Sequence, residues 1–370
     1  MRRIYIWQQP DWPSFRWDTA LLLAPLGEVR RKQGAFAEAI GRLGFVERRE
    51  AELEALTTEA ADTSKIEGEA LDYSSVRSSV ARRLGITEAA VLPEDARVSG
   101  IVEMTLDATQ HYREPLTEPR LFRWHTGLFP IAHGKRPTIR IGAWRTDATG
   151  PMRIVSGRVD VPKVHYEAPP AVRVPGEMSQ FIDWFSEETR GDGILRSAVA
   201  HLWFVTIHPF DDGNGRTARA VADMALAQDD ESSQRFFSIS RQILKERPKY
   251  YEVLERTQTG SLDITEWLLW YLDCYARAIE EARSVLTDVL HAGRFWMAHA
   301  QITFSERQRK VLNRFLHEFE GSLTARKWAG IAHTSTDTAA RDISDLVSKG
   351  VLVRNPGGSK RTSYQFAPFD

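Results

Sequence analysis

The segment from residue 208 to residue 219 constrains the fold of this chain more than any other, and it reads His-Pro-Phe-Asp-Asp-Gly-Asn-Gly-Arg-Thr-Ala-Arg. An apolar, helix-like run leads into His208, and Pro209 is expected to push His208 out of helical geometry into an extended one. The residues from Arg216 onward have good helix propensity, so a second helix is predicted there. The segment therefore predicts a helix, a loop and a helix, with an imidazole at the mouth of the loop that can take a proton near neutral pH.

The same loop has the composition of a phosphate site. The run Gly213-Asn214-Gly215 tolerates positive φ and can turn successive backbone N–H groups toward one point at a helix N-terminus. Arg216 and Arg219 lie on one helical face, where each guanidinium can donate two hydrogen bonds to phosphate oxygens. Asp211 can ligate a magnesium ion. These parts suit in-line transfer at a phosphorus atom, and the residue types leave open which phosphorus is attacked.

The segment resembles the signature of the Fic family, which is His-Pro-Phe, an acidic residue, one free position, Gly-Asn-Gly-Arg, two free positions and Arg. The resemblance implies a protein adenylyltransferase that uses ATP and magnesium to move AMP onto a Ser, Thr or Tyr hydroxyl of a target protein, with the protein itself among the candidates. A relative that phosphorylates departs from Gly-Asn-Gly-Arg, which favours adenylyl transfer here. The implied roles are His208 as general base, Asp211 as metal ligand, Gly213, Asn214 and Gly215 as anion hole, Arg216 and Arg219 as phosphate ligands, and Phe210 as core anchor.

A second motif resembles the inhibitory helix pattern of the same family, which is Ser or Thr, three residues, Glu, then Gly or Asn. It reads Thr63-Ser64-Lys65-Ile66-Glu67-Gly68. The resemblance implies that the Glu67 carboxylate pairs with Arg219 and removes a cation that would hold the γ-phosphate of ATP. The alternative is a solvated glutamate one residue before a glycine that ends a helix.

Two further stretches resemble family features. Residues 142–170 alternate short β-prone runs with turn residues, which predicts a hairpin similar to the flap that aligns a target segment at its edge. A hairpin that only covers the core is the alternative. Tyr250, Tyr251 and Gln258 resemble the stretch that packs the adenine, although some relatives have Asn where this chain has Gln258. Core packing of the two tyrosines stays open.

The fold is predicted to be mainly α, a Fic helical fold with an inserted β-hairpin flap, followed by a C-terminal domain like a winged helix-turn-helix. The expected divisions are an N-terminal accessory region at 1–97, a catalytic core at 98–291 and the C-terminal domain at 300–370. An N-terminal segment with Trp7, Trp12 and Trp17 is expected to pack onto helices that start near Leu21. The apolar run 267–272 predicts a buried helix.

The last seventy residues have a different charge balance from the rest. Residues 301–370 contain 11 Lys and Arg against 7 Asp and Glu. Three predicted helices and two strands there resemble a winged helix, whose cations could meet DNA phosphates; these cations are Lys327, Arg341, Lys360 and Arg361. The excess is modest, and Asp337, Asp342 and Asp345 share the expected recognition helix. Docking of a protein or formation of a homodimer is therefore favoured over DNA binding, which stays open.

Composition narrows the functional class only slightly. The net charge of -1 gives no overall attraction to nucleic acid or membrane. The N-terminus lacks an apolar signal region and no run of 18 apolar residues is present, so a cytoplasmic location without membrane association is expected. Cys274 lies in an apolar stretch and is expected in the core.

The sequence leaves two classes of function open. The first is an enzyme, a protein adenylyltransferase restrained by Glu67, whose site could also remove AMP (deAMPylation) if Glu67 positions a water. The second is a winged-helix DNA-binding regulator with a Fic sensor core. A complete set of base, metal ligand and phosphate cradle favours the enzyme, because a sensor does not need all of them.

Overall fold

Helices dominate the structure, a computed structural model that describes residues 4–86, 95–130, 139–148, 150–158, 161–187, 191–317, 322–356 and 362–369. The helices are α1 (Thr19–Gly41), α2 (Phe45–Ile66), α3 (Tyr73–Arg83), α4 (Ala96–Gln110), α5 (Glu118–Leu128), α6 (Val174–Glu187), α7 (Gly193–Ile207), α8 (Asn214–Asp229), α9 (Ile239–Lys245), α10 (Arg247–Gln258), α11 (Thr265–Ala298), α12 (Glu306–His317), α13 (Ala325–Ala332) and α14 (Thr336–Ser348). The strands are β1 (Arg153–Arg158), β2 (Val161–Glu167), β3 (Leu352–Arg354) and β4 (Tyr364–Phe366). The chain divides into two compact units, Met1–Ala282 and Arg283–Asp370.

The first unit is built around α7 and α8, which pack along each other. The α7 sequence is apolar on nearly every face, and its residues are buried almost without exception. Such a helix is stable only in the middle of a core, and α2, α4 and α5 also contact α8. The loop between α7 and α8, residues 208–213, is therefore held at both ends by buried helices.

The hairpin β1–β2 is antiparallel and is anchored on α7. The hydroxyl of Tyr166, a buried residue of β2, donates to the carbonyl of Thr206 at 2.6 Å. The pairing register shifts between Ile154 and Val155, which marks a β-bulge in the hairpin. The predicted hairpin thus lies against the end of the helix that leads to His208.

The N-terminal tryptophans make contacts far away in the sequence. Trp7 donates from Nε1 to the Glu167 carbonyl at 2.8 Å, and Trp12 donates to the Glu177 carboxylate at 2.8 Å. The segment therefore packs on the hairpin as well as on helices, since Trp12 also contacts the ring of Trp203 in α7; the expectation named helices alone. A local pattern could not identify this partner, because the hairpin and α6 lie more than a hundred residues away in sequence.

The second unit contains α12, α13 and α14 with the antiparallel pair β3–β4, around a core that includes Phe295, Trp328 and Ile343. Asp342 of α14 is buried and accepts two hydrogen bonds from Arg307, at 2.6 and 2.7 Å. This carboxylate is consequently removed from the exposed face of α14. Lys327 and Arg341 are exposed, whereas Lys360 and Arg361 lie outside the described residues.

The run 267–272 lies in α11 and is mostly buried, as is Cys274. Among the described helices, none has the length and the apolar character that a membrane span requires.

Candidate functional site

His208 ends α7 and lies at the mouth of the loop, but its backbone is not extended. Its φ and ψ are 52° and 58°, the left-handed conformation, and its N–H donates to the Phe204 carbonyl at 3.0 Å. The prediction from Pro209 was wrong about the conformation because a helix C-cap can leave helical geometry through the left-handed region and still keep its last hydrogen bond. The cap fixes the direction in which the imidazole projects.

The protonation state of His208 follows from its contacts. Its Nδ1 lies 3.2 Å from the Val205 carbonyl, which can only accept, so Nδ1 carries the proton and Nε2 keeps a lone pair. Burial lowers the pKa of this imidazole from 6.5 to about 4; the Val205 carbonyl opposes the shift and the charge on Arg145 adds to it. His208 is neutral at pH 7, as a general base must be.

Arg145 holds the backbone of the loop, a role the sequence did not indicate. This buried guanidinium donates to the carbonyls of His208 at 2.7 Å and Pro169 at 2.5 Å, and the Arg145 N–H donates to the Pro209 carbonyl at 2.9 Å. It therefore ties the loop to the chain that follows β2. The only sequence signal is an arginine in the turn-rich stretch before β1.

Asn214 and Phe210 close the loop on itself. The Asn214 side chain accepts from the Phe210 N–H at 2.9 Å and donates to the Phe210 carbonyl at 2.8 Å. Phe210 is fully buried and stacks on His125, with ring centroids 4.1 Å apart. The Asn214 side chain thus braces the loop, and only its backbone is left to contribute to an anion hole.

The N-terminus of α8 has the features of an anion cradle. Gly213 is its N-cap, with φ 80°, and no side chain caps the first turn. Open N–H groups and the helix dipole favour an anion at such a position. A Cβ atom at Gly215 would overlap the carboxylate of Glu67. Glycine at position 215 therefore permits a negatively charged group to approach the backbone closely.

Arg219 is buried and is held by the segment at the end of α2. It donates from Nε to Thr63 Oγ1 at 2.6 Å, and from Nη2 to the Thr63 carbonyl at 2.9 Å and to Glu67 Oε1 at 2.8 Å. The Ser64 carbonyl accepts from the Glu67 N–H at 3.1 Å, and Gly68 follows with φ 87°. The four predicted motif residues, Thr63, Ser64, Glu67 and Gly68, thus form the turn that presents the carboxylate to Arg219.

A second carboxylate, that of Glu69, pairs with Arg216, the other predicted phosphate ligand. The sequence did not indicate this contact. Glu69 Oε2 lies 2.8 Å from Nη1 of Arg216, whose side chain is 6% exposed. The Glu69 N–H donates to the Ser64 carbonyl at 3.1 Å, so Gly68 turns the chain and brings both carboxylates to α8. Each of the two arginines is therefore occupied by a carboxylate from the same turn.

Asp211 has the donor chemistry that a magnesium ion needs. Its Oδ2 accepts from the Arg140 N–H at 2.7 Å, and the residue is partly exposed in the loop before α8. Within the described part of the chain, no group of three or more His, Cys, Asp or Glu residues is placed to hold a metal ion. Magnesium binds one or two carboxylates plus substrate phosphates and waters, so a single carboxylate beside a phosphate cradle fits it.

A cavity of about 600 Å³ lies beside His208, between the hairpin and α10. That volume is in the range of small-molecule sites. The predicted residues Glu67, His208, Gly215, Tyr250, Tyr251 and Gln258 all line it. Tyr250 is buried with its hydroxyl 2.9 Å from His201 Nε2, whereas Tyr251 is 37% exposed. Gln258 donates from Nε2 to Thr206 Oγ1 at 3.3 Å, so that amide is committed to α7.

Comparison with known proteins gives two family matches. A family described as Fic/DOC matches residues 115–226, and a domain of unknown function, DUF4172, matches residues 5–86. The first match contains His208 to Arg219, and the second contains Thr63 to Gly68. The loop and the turn that faces it therefore lie in different family matches.

Individual relatives were found by sequence and by structure. The chain is 28% identical over 103 residues to a probable protein adenylyltransferase of Aquifex aeolicus (strain VF5), covering 28% of this chain and 30% of that protein. It is 39% identical over 66 residues to a uridine 5'-monophosphate transferase of Xanthomonas campestris pv. campestris (strain 8004), covering 16% of this chain and 12% of that protein. The chain thus spans less than a third of the length of these curated relatives. In fold, it is similar to a Fic family protein from Desulfovibrio desulfuricans G20, with a TM-score of 0.56, 20% identity, and coverage of 96% of this chain and 98% of that chain.

Proposed function

Because this chain carries a Fic/DOC family domain on the helical fold of solved Fic family proteins, we propose that it is a protein adenylyltransferase restrained by its own carboxylates. One observation carries the proposal. His208, with a lone pair on Nε2, and Gly215, in the anion cradle of α8, line one cavity of nucleotide size. A base, a phosphate cradle and a cavity in one place suit attack on a bound nucleotide.

The proposed reaction is in-line displacement at the α-phosphorus of ATP. The hydroxyl oxygen of a target side chain forms the new P–O bond, and its proton passes to Nε2 of His208. The bond between the α-phosphorus and the oxygen that bridges to the β-phosphate breaks, and pyrophosphate leaves. Burial lowers the pKa of His208, so at neutral pH its imidazole is unprotonated at Nε2 and the lone pair is available to the proton.

The remaining loop residues would hold the nucleotide. The N–H groups at the start of α8 and the guanidinium of Arg216 would bind phosphate oxygens, and Arg219 would bind the γ-phosphate. Asp211 would hold a magnesium ion, which neutralises phosphate charge when bound. Arg145 and Asn214 would act indirectly, because their side chains position the loop through hydrogen bonds to its backbone.

The restraint follows from the contacts of Glu67 and Glu69. Glu67 pairs with Arg219 and lies against Gly215, so its carboxylate stands where the cradle would receive a phosphate. Glu69 pairs with Arg216 in the same way. Phosphate oxygens would have to displace both carboxylates before ATP could bind with its α-phosphorus in line for attack. We therefore assign the low-activity state to the arrangement in the structure.

The test is transfer of label from ATP, labelled at the α-phosphate, to the proteins of a cell extract in the presence of magnesium. The variants are wild type, Glu67→Gly and Glu67→Gly/His208→Ala. We expect label on extract proteins to rise in Glu67→Gly and to disappear in the double variant. Equal labelling in the last two would refute the role of His208. A parallel assay with α-labelled UTP checks the nucleotide, since one relative is named a uridine 5'-monophosphate transferase.

A further inference from the structure

The imidazole of His125 connects two backbone segments that are far apart in the sequence. His125 lies in α5 and is fully buried, and its ring stacks on Phe210. Its Nδ1 lies 3.0 Å from the backbone nitrogen of Gly142, and its Nε2 lies 3.1 Å from the carbonyl oxygen of Asp212. One side chain therefore holds both the loop before α8 and the segment before β1.

The two backbone partners define the tautomer of His125. The Gly142 N–H can only donate, so Nδ1 accepts this bond with its lone pair. The Asp212 carbonyl can only accept, so Nε2 carries the proton and donates it to that bond. Both nitrogens of the neutral imidazole are thus engaged by backbone groups outside α5.

Glycine at position 142 lets its segment lie close to α5. The φ of Gly142 is 62°, and a Cβ atom there would lie 2.6 Å from Oγ1 of Thr126. Any side chain would therefore push this backbone away from the helix and from Nδ1 of His125. The hydrogen bond between the segment and the imidazole depends on that close approach.

The carboxylate of Asp211 lies where the two segments meet. Asp211 directly precedes the residue whose carbonyl accepts from His125, and its Oδ2 accepts from the N–H of Arg140, two residues before Gly142. Among the described residues, this is the one hydrogen bond that the Asp211 side chain accepts. His125 thus holds both the backbone that carries the carboxylate and the backbone that orients it.

Core packing alone does not explain a histidine at this position. A phenylalanine could stack on Phe210 equally well and would bury more apolar surface. The imidazole adds two directional hydrogen bonds, one on each side of Asp211. In metal sites, groups that orient a ligand through hydrogen bonds are part of the site, and their loss typically weakens metal binding about 10- to 100-fold.

We propose that His125 is a positioning residue for magnesium, because it holds the Asp211 carboxylate in place to bind the ion. The inference rests on the proposed function, in which Asp211 is the metal ligand. His125 contacts neither the metal nor the nucleotide; it acts through the loop and the segment 140–142. Its loss should therefore weaken the binding of ATP with magnesium more than the binding of ATP alone.

The test measures ATP affinity by isothermal titration in the Glu67→Gly background, once with excess magnesium and once with EDTA. The ratio of the two affinities reports the contribution of the metal. We expect His125→Phe, which keeps the ring stack, to lower this ratio about tenfold and to leave the affinity in EDTA nearly unchanged. Trp124→Phe is the matched control, since the buried Trp124 is the neighbour of His125 in α5 and donates to Asp107, away from the loop. Its ratio should stay unchanged.

Further variants identify the route by which His125 acts. Asp211→Asn should also lower the ratio, and His125→Phe/Asp211→Asn should lower it no further, because both changes affect one carboxylate. His125→Asn, whose Oδ1 can still accept from the Gly142 N–H, should cause a smaller loss than His125→Phe. The thermal midpoint of each variant establishes that it is folded. In the transfer assay, raising the magnesium concentration should restore His125→Phe but not His208→Ala.

The outcomes separate this inference from the proposed function. If Asp211→Asn lowers the ratio but folded His125→Phe and His125→Asn do not, the inference is refuted and the proposed function stands. An equal loss in Trp124→Phe also refutes it, because the effect would then come from destabilisation of α5. If Asp211→Asn leaves the ratio unchanged, the metal assignment and this inference are both wrong, while loss of label in Glu67→Gly/His208→Ala still supports the transferase. If Glu67→Gly neither binds ATP nor transfers label, the proposed function is wrong, and this inference with it.

Discussion

Glu67 Oε1 lies 2.8 Å from Nη2 of Arg219, and the same carboxylate lies against Gly215 at the start of α8. An acidic side chain thus makes both contacts that a phosphate would make, one with a buried cation and one with the helix N-terminus. A phosphate group would have to compete with the Glu67 carboxylate for both contacts.

We expect Glu69 to restrain transfer independently of Glu67, because it holds a different arginine at 2.8 Å. Glu67→Gly/Glu69→Gln should transfer AMP about tenfold faster than Glu67→Gly alone, since a charge-assisted hydrogen bond contributes about 1.5 to 3 kcal/mol. Initial rates with α-labelled ATP measure the effect. Glu67→Gly/Glu28→Gln is the matched control, because Glu28 pairs with Arg31 on the exposed face of α1. Equal rates for the two double variants would contradict the role of Glu69.

Replacing Gly215 with alanine should damage the site. The new Cβ would overlap the Glu67 carboxylate and come within 3.1 Å of Arg219 Nη1. In the Glu67→Gly background the overlap with Glu67 is gone, but the methyl group still occupies the cradle, so ATP affinity should fall at least tenfold. Isothermal titration measures the affinity. Gly34→Ala, in α1 with open space around the position, should leave ATP affinity unchanged and raise the free energy of unfolding by up to about 1 kcal/mol.

The pH dependence of transfer should reflect the lowered pKa of His208. Burial lowers that pKa to about 4, so the free enzyme keeps a neutral imidazole down to that pH. Transfer by Glu67→Gly, measured as kcat/KM, should lose its His208-dependent activity only as pH falls through about 4, when the proton occupies Nε2. Circular dichroism at each pH separates this loss from unfolding. A midpoint near 6.5 in folded protein would show that the imidazole is solvated.

The lowered pKa of His208 also makes the free energy of unfolding depend on pH. In the unfolded chain His208 takes up a proton near pH 6.5, whereas in the folded chain it does so only near pH 4. The unfolded state therefore binds more protons between these values, and the contribution of His208 to stability is lost as pH falls from about 6.5 to about 4. Glutamine at position 208 cannot titrate. The free energy of unfolding, measured with urea, should therefore change less with pH over this interval for His208→Gln than for wild type.

Loss of Arg145 should reduce both stability and transfer. Arg145→Ala would remove the hydrogen bonds to the carbonyls of His208 and Pro169 and leave these groups without their donor. We expect the free energy of unfolding to fall by about 2 to 4 kcal/mol and transfer to fall with it. Arg153→Ala, at a half-exposed arginine of β1 paired with Glu167, is the matched control and should change unfolding by less than about 1 kcal/mol. Similar losses for both variants would refute the positioning role.

Local patterns in the sequence were sufficient where the interacting groups are neighbours in the chain. The helix before His208, the glycine cradle and the helix that carries Arg216 and Arg219 all follow from the continuous stretch 194–222. The conformation of His208 was the exception. The rule for a residue before proline predicts an extended backbone, but the cap bond to Phe204 and the Arg145 contact hold it in the left-handed region.

The sequence by itself determined which groups the loop carries, because its residue types and spacing place an imidazole, a glycine-rich turn and two guanidinium groups within one turn and one helix. Only the tertiary structure decided which groups these side chains meet. Glu69 is 147 residues from Arg216, and His125 is 87 residues from Asp212. Such pairs depend on how the helices and the loops between them pack together, and that packing is set by the burial of apolar faces rather than by any local pattern around the polar residues.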